Sequence, residues 1–214
     1  MAEKEANAAE GGRRRSTARH QRPARRPEKP ADPAYLERAA LHYLERFATT
    51  RGHLAQVLRR KIRRRGLPEG VADSEAEEWI AALVEKLVRL GYVDDLGFAR
   101  ARAQSLLNRG RPLRAVRQGL AEKSVPAGMI DQVLAETVEE SANTDLLAAV
   151  RYVRRRRIGP ARPAPPADAD AAHKAFQRDM AALARAGFSY DIARQVLEAH
   201  GPEGLNELED EAGA

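Results

Sequence analysis

Residues 73–107 read "DSEAEEWIAALVEKLVRLGYVDDLGFARARAQSLL", two helical patterns with a short break between them. In the first pattern Ile80, Leu83, Val84, Leu87 and Val88 recur at a period of 3.6 and make one apolar stripe. Ser74 and Glu77 have the spacing of a capping box ahead of that stripe. Trp79, the sole tryptophan, flanks the stripe and reads as core rather than as a stacking platform. Gly91 ends the first helix, and Asp94 and Asp95 open the second. A carboxylate at an N-cap accepts from an orphan amide, and one in the first turn meets the positive end of the helix. Paired carboxylates also suit a metal or a general acid. No histidine or third acid lies near them in sequence, however, and the five histidines (His20, His42, His53, His173, His200) show no ligand spacing. The two acids are therefore read as structural.

The same logic extends outward. "DPAYLERAALHYLERF" (32–47) begins with a capping Asp32 and with Pro33 where its missing N–H costs nothing. Leu36, Ala40, Tyr43, Leu44 and Phe47 then follow at helical spacing. No pattern up to Gly201 alternates for long enough to be a strand, so the class is all-α. Three marks share one register: Ile62 before Gly66, Leu120 before Ser124, and Leu183 before Gly187. An apolar residue follows each (Leu67, Val125, Phe188). A helix comes next, carrying Ile80, Leu83 and Leu87, then Ile130, Val133 and Leu134, then Ile192, Val196 and Leu197. A helix also precedes each mark, near 34–47, 95–108 and 145–157. The expected fold is an elongated array of three tandem three-helix repeats, 34–93, 94–141 and 142–201. A compact nine-helix globule is the alternative. Aromatics at 5% and abundant alanine favour the array, whose small cores need little more. "GPARPAPPADADAAHK" (159–174) interrupts the third repeat with Pro160, Pro163, Pro165 and Pro166, as a rigid loop or a hinge.

Charge is uneven along the 214 residues, whose net is +6. Residues 1–33 form a basic, proline-rich arm expected to be disordered, and 202–214 form an acidic tail. The arm has no apolar run suited to a signal sequence, and no stretch approaches the roughly 18 residues of a membrane span. Cysteine is absent, which excludes disulfides and thiolate metal sites. The protein is expected to be cytoplasmic, monomeric and free of any membrane.

Arginine carries the binding signal. Arg109 and Arg111 bracket Gly110 at a turn, and Arg114 and Arg117 follow one turn apart while Leu113, Val116 and Leu120 take the inward face. Arg59, Arg60, Arg63 and Arg64 make a similar row around Leu58 and Ile62. A second basic run, "RYVRRRR", lies at 151–157. Guanidinium forks match carboxylate and phosphate geometry, so the rows suit a protein partner or a phosphate backbone, with a solvated face as the alternative. No phosphate loop, nucleophile elbow or zinc motif is present, and neither catalysis nor a cofactor nor a metal is expected.

Taken together, "GYVDDLGFARARAQSLLNRGR" (91–111), "LAEKSVPAGMIDQVL" (120–134), "RRRRIGPAR" (154–162) and "LARAGFSYDIARQVL" (183–197) resemble the RecX family of RecA regulators, in its alphaproteobacterial form. The resemblance covers about residues 35–200. It rests most on Gly91-Tyr92 with Asp94, Asp95 and Phe98, on Arg109-Gly110, and on Gly187-Phe188-Ser189 with Ala193. It implies a curved array that lies in the groove of the RecA–DNA filament and restrains filament growth, strand exchange and ATP hydrolysis. The basic patches would reach single- or double-stranded DNA as well. The family's acidic pair and phenylalanine fall on Asp94, Asp95 and Phe98, a cap and a core anchor, and its basic turn falls on Arg109 and Arg111. The resemblance also has a departure: family members commonly carry Lys-Gly where this chain has Lys123-Ser124, which weakens any argument for a left-handed backbone there. The competing function is a helical regulator that binds DNA directly, without RecA. That mode needs a helix of base-reading side chains, and "LAEKSVPAGMIDQVLAE" offers few.

Overall fold

The computed structural model describes residues 29–140 and 143–213. The order is α1 (Pro33–Leu44), α2 (Arg51–Arg65), α3 (Asp73–Arg89), α4 (Asp95–Asn108), α5 (Leu113–Ala121), α6 (Ala127–Glu140), α7 (Thr144–Arg156), a 3₁₀ turn (Gly159–Ala161), α8 (Ala169–Ala186), α9 (Tyr190–Leu197) and α10 (Gly201–Gly213). The result is an all-α, elongated array of helices, with no strand among the described residues. None of the described helices is long and apolar enough to cross a membrane.

Helix α1 starts as its sequence dictates, with Asp32 accepting from the Tyr35 amide at 2.6 Å and Pro33 in the first turn. It stops at Leu44, so Phe47 is not core: it is 54% exposed and stacks on Tyr43, ring centroids 5.1 Å apart. Helix α3 also departs from expectation. Its N-cap is Ala72 with no side-chain cap, and the Ser74–Glu77 box does not form. Glu77 instead holds Arg59 of α2 through contacts of 2.7–2.9 Å. The stripe itself is as read, with Ile80, Val84 and Leu87 buried against Leu36, Leu54 and Leu58. Trp79 packs at the edge of that core.

Most of the basic arm lies outside the described residues. Ordered packing begins before the expected boundary at residue 33, because Ala31 is fully buried and donates its amide to the Gly66 carbonyl at 2.9 Å. At the other end the acidic stretch is not a tail but α10. Leu205 and Ala212 are buried in the second core, and Arg154 of α7 pairs with Glu209 and with Asn206. The first turn of the proline-rich segment is clamped. Buried Asp179 of α8 accepts from the Gly159 amide at 2.9 Å and from Arg162 at 2.6 Å.

Two separate cores result. One belongs to α1–α3, and the other runs without interruption from α4 to α10. Alanines (Ala99, Ala103, Ala148, Ala149) line the latter between α4 and α7, where small side chains let helix backbones approach closely. Ser124 adopts a left-handed backbone despite its side chain, with φ +57°.

Candidate functional site

Site geometry begins with the turn after α4. Arg109 caps that helix, and the next residue, Gly110, is buried with φ +69°. A Cβ on Gly110 would lie 2.5 Å from the Tyr152 amide nitrogen and 2.8 Å from the Ala148 carbonyl oxygen. Only glycine lets the turn rest on the backbone of α7. That contact carries Arg111 to the end of α7 and across to α8. There Arg111, Tyr152, Arg155, Arg156, Ala182, Arg185 and Ala186 line a cleft of about 210 Å³. Tyr152 is its floor: 4% exposed, with its hydroxyl donating to the Ala182 carbonyl at 3.4 Å and its ring edge-on to Phe188 at 5.6 Å. The Arg156 guanidinium lies 5.6 Å from the Tyr152 ring centroid, and interaction with the tyrosine hydroxyl raises its pKa above the ordinary arginine value.

The expected second half of this row diverges. Arg114 reaches the turn at Gly187, where its guanidinium would lie 3.3 Å from an added Cβ, and Arg117 pairs with Asp131 of α6 at 2.6 Å. In the first group Arg59 is already committed to Glu77. The pairing raises the arginine pKa and lowers the carboxylate's, chiefly through their hydrogen bonds. Arg60, Arg63 and Arg64 are exposed. Arg60 and Arg64 share a cleft of about 320 Å³ with Lys61, Arg65, Tyr35 and Tyr43. So the eight expected arginines fall on two faces, one on α2 and one running from the Arg109 turn along α5, and two of the eight are spent inside the molecule.

Asp94 is the N-cap of α4, accepting from the Gly97 amide at 3.0 Å. Asp95 does more than meet a helix end. It is 6% exposed and accepts from the backbone amide of Arg51 at 2.8 Å and from its Nε at 3.1 Å, so it caps α2 from another helix. Asp145, in the first turn of α7, does the same for α5 by accepting from the Leu113 amide at 2.7 Å. Phe98 packs half-buried on the second core, Gly187 ends α8 at φ +107°, and Phe188 is buried. Arg155, Arg156, Arg185 and Tyr152 were not singled out by the sequence. The run at 151–157 was the one signal for three of them, and nothing marked Arg185.

No group of three His, Cys, Asp or Glu residues that could hold a metal ion occurs among the described residues. The described residues thus form a helical scaffold that presents arginines in shallow clefts. No protein-family model matches the chain. Individual relatives do. It is 41% identical over 180 residues to the regulatory protein RecX of Myxococcus xanthus, covering 84% of this chain and 92% of that one. With RecX of Halorhodospira halophila the identity is 34% over 161 residues (75% and 85%), and with that of Agrobacterium fabrum 30% over 168 (77% and 82%). The crystal structure of RecX from Lactobacillus salivarius superposes with a TM-score of 0.53 at 18% identity, covering 78% of this chain and 94% of that one. The chain belongs to the RecX family, and these relatives bear the name regulatory protein.

Proposed function

We propose that this protein binds the RecA–DNA filament in its groove and restrains filament growth, ATP hydrolysis and strand exchange during DNA repair and recombination. It would act as a cytoplasmic monomer. The observation that carries this reading is the 41% identity to a RecX protein over 92% of that relative's length. The arginine placement supports it. Arg60, Arg63 and Arg64 on α2 and Arg109, Arg111 and Arg114 beyond α4 offer two separated basic surfaces. A long repetitive partner can engage both, which raises effective concentration at the second once the first is bound. Arg59 and Arg117 contribute by positioning, since each is held by a carboxylate of its own chain.

A curved array of three three-helix repeats belongs to the same proposal. Its support is the recurring cap, in which the helix opening each following unit sends an aspartate to the first residue of the preceding unit's second helix (Asp95 to Arg51, Asp145 to Leu113). An alphaproteobacterial type rests on the sequence motifs and the Agrobacterium relative. The relatives at 41% and 34% identity come from Myxococcus and Halorhodospira.

The test is the Arg109→Ala/Arg111→Ala double variant, with the parent, in an assay of RecA filament ATP hydrolysis at sub-saturating regulator. Weakened inhibition with an unchanged melting curve is the expected result. Equal inhibition removes this turn from the interface. Co-sedimentation with RecA, with and without single-stranded DNA, separates filament binding from a regulator that binds DNA directly.

A further inference from the structure

The cleft between α7 and α8 has a property the regulatory reading does not use. Six arginines that face another element are answered by a carboxylate: Arg51 by Asp95, Arg59 by Glu77, Arg100 by Glu136, Arg117 by Asp131, Arg154 by Glu209 and Arg162 by Asp179. The α2 cleft with Arg60 and Arg64 is lined by no acid either, but it draws its cations from one helix. Arg111, Arg155, Arg156 and Arg185 converge from three elements on one cleft that no acid lines. None of the four has an ion pair among the described residues. The contrast is sharpest within one helix turn, since Arg154 is neutralised by α10 while Arg155 and Arg156 are not. The C-terminal ends of α7 and α8 offset part of the positive charge. They give no reason for Arg111 to be brought there from the α4–α5 turn by a glycine that admits no side chain.

We propose that this cleft is a phosphate-binding site. A carboxylate is planar with two acceptor oxygens, and one guanidinium fork satisfies it. Donors supplied by three separate elements suit a tetrahedral oxyanion, whose acceptors point in more than one plane. The balance of charge agrees, because a multiply charged phosphate compensates several guanidiniums where a single carboxylate leaves most of them unanswered. The site is also pre-formed. Its floor, Tyr152, is fixed by Ala182 and Phe188, and the Arg111 turn is fixed by Gly110 against α7. The phosphate could be a free anion or belong to a nucleic-acid strand.

The test needs no recombinase, so it fails or succeeds separately from the filament reading. Binding of inorganic pyrophosphate, and of a short oligothymidylate with hydroxyl ends, is measured by calorimetry at matched ionic strength. The proteins are the full-length parent, the Arg155→Ala/Arg185→Ala variant and the charge-preserving Arg155→Lys/Arg185→Lys variant. Loss of charge-assisted hydrogen bonds should weaken at least one of the two ligands by about tenfold in the alanine variant. Lysine should restore only part of that loss. Whichever ligand shows the loss is the source of the phosphate. Both side chains are exposed, and circular dichroism melts check that the fold is kept. If the alanine variant does not fold, the lysine variant alone decides, and binding equal to the parent's overturns the site. The proposal is also overturned if both ligands bind the alanine variant as they bind the parent, or if lysine restores binding fully. The same follows if a polyglutamate peptide at equal charge binds the parent as tightly and loses as much on substitution, since the cleft would then be a carboxylate seat.

Discussion

The molecule has two joints between helical groups, and they are built differently around the same device. At the first, between α1–α3 and α4–α6, the cores are separate and the chain meets itself through polar contacts. Asp95 receives the Arg51 amide and side chain, the Thr50 hydroxyl donates to the Lys123 carbonyl, and Gln56 donates to Ser124 at 2.9 Å. At the second, between α4–α6 and α7–α10, Asp145 plays the part of Asp95, but a continuous apolar seam surrounds it. A hydrogen bond exchanged with water stabilises by about 1 kcal/mol net, whereas apolar burial accumulates with area. The aspartate cap is thus a large part of one joint and a detail of the other, and local opening is expected at the first joint before the second.

The largest expected effect tests the seam. Gly110→Ala adds a Cβ against α7 backbone atoms that cannot yield, at a left-handed φ. It should cost about 3 kcal/mol or more in urea denaturation. A cost below about 1 kcal/mol, the net worth of one hydrogen bond, would mean the seam is the softer joint. Next, Asp95→Ala should cost about 2 kcal/mol, since it strands a buried amide and part of a guanidinium. Hydrogen exchange should show protection lost in α1–α3 and kept in α4–α10. Asp145→Ala should not release one group selectively, and identical exchange patterns for the two variants would erase the distinction between the joints.

Asp94→Ala is the internal control. It removes the cap of α4, which crosses neither joint, and should cost about 1 kcal/mol with no group-selective loss of protection. The smallest effect is pH-dependent. His53 sits in α2 near the first joint, and its pKa is lowered by burial, then by Lys123 and Arg60. The unfolded chain therefore binds this proton more readily than the folded one. Stability is fully present above the ordinary value of 6.5 and declines as pH falls below it. Exchange measured on either side of that pH should show α1–α3 loosening in acid, and His53→Gln should abolish the difference.

Helix existence was legible because apolar periodicity is local: Ile80, Val84 and Leu87 bury as their spacing requires. Caps were legible only when the partner lay within the same turn, as with Asp32 and Asp94. Ser74 and Glu77 had the right spacing and failed, because Glu77 found Arg59 on a neighbouring helix. Asp95 reads from sequence as no more than a helix-end charge for the same reason, its partner lying 44 residues away. The arginine cleft was half visible. The basic run at 151–157 and the Arg109–Gly110–Arg111 turn were each conspicuous, but no local pattern says that they meet, or that Arg185 joins them. The acidic end reads as a tail because charge dominates its composition, while the few apolar residues that dock it, Leu205 and Ala212 among them, are sparse.

The contact between Gly52 and Ser124 bears on how such chains diverge. A Cβ at position 52 would sit 2.8 Å from the Cβ of Ser124, so the two positions share one small volume across the first joint. Position 124 has a left-handed backbone, where glycine is at ease, and position 52 lies in a helix, where alanine is preferred. The order of change is therefore constrained: bulk at 52 requires that the side chain at 124 be lost first, and the carbonyl oxygen of 124, 3.1 Å from the same Cβ, must still give by a few tenths of an ångström. Among related sequences the two positions should covary as a pair, with glycine changing sides and never absent from both.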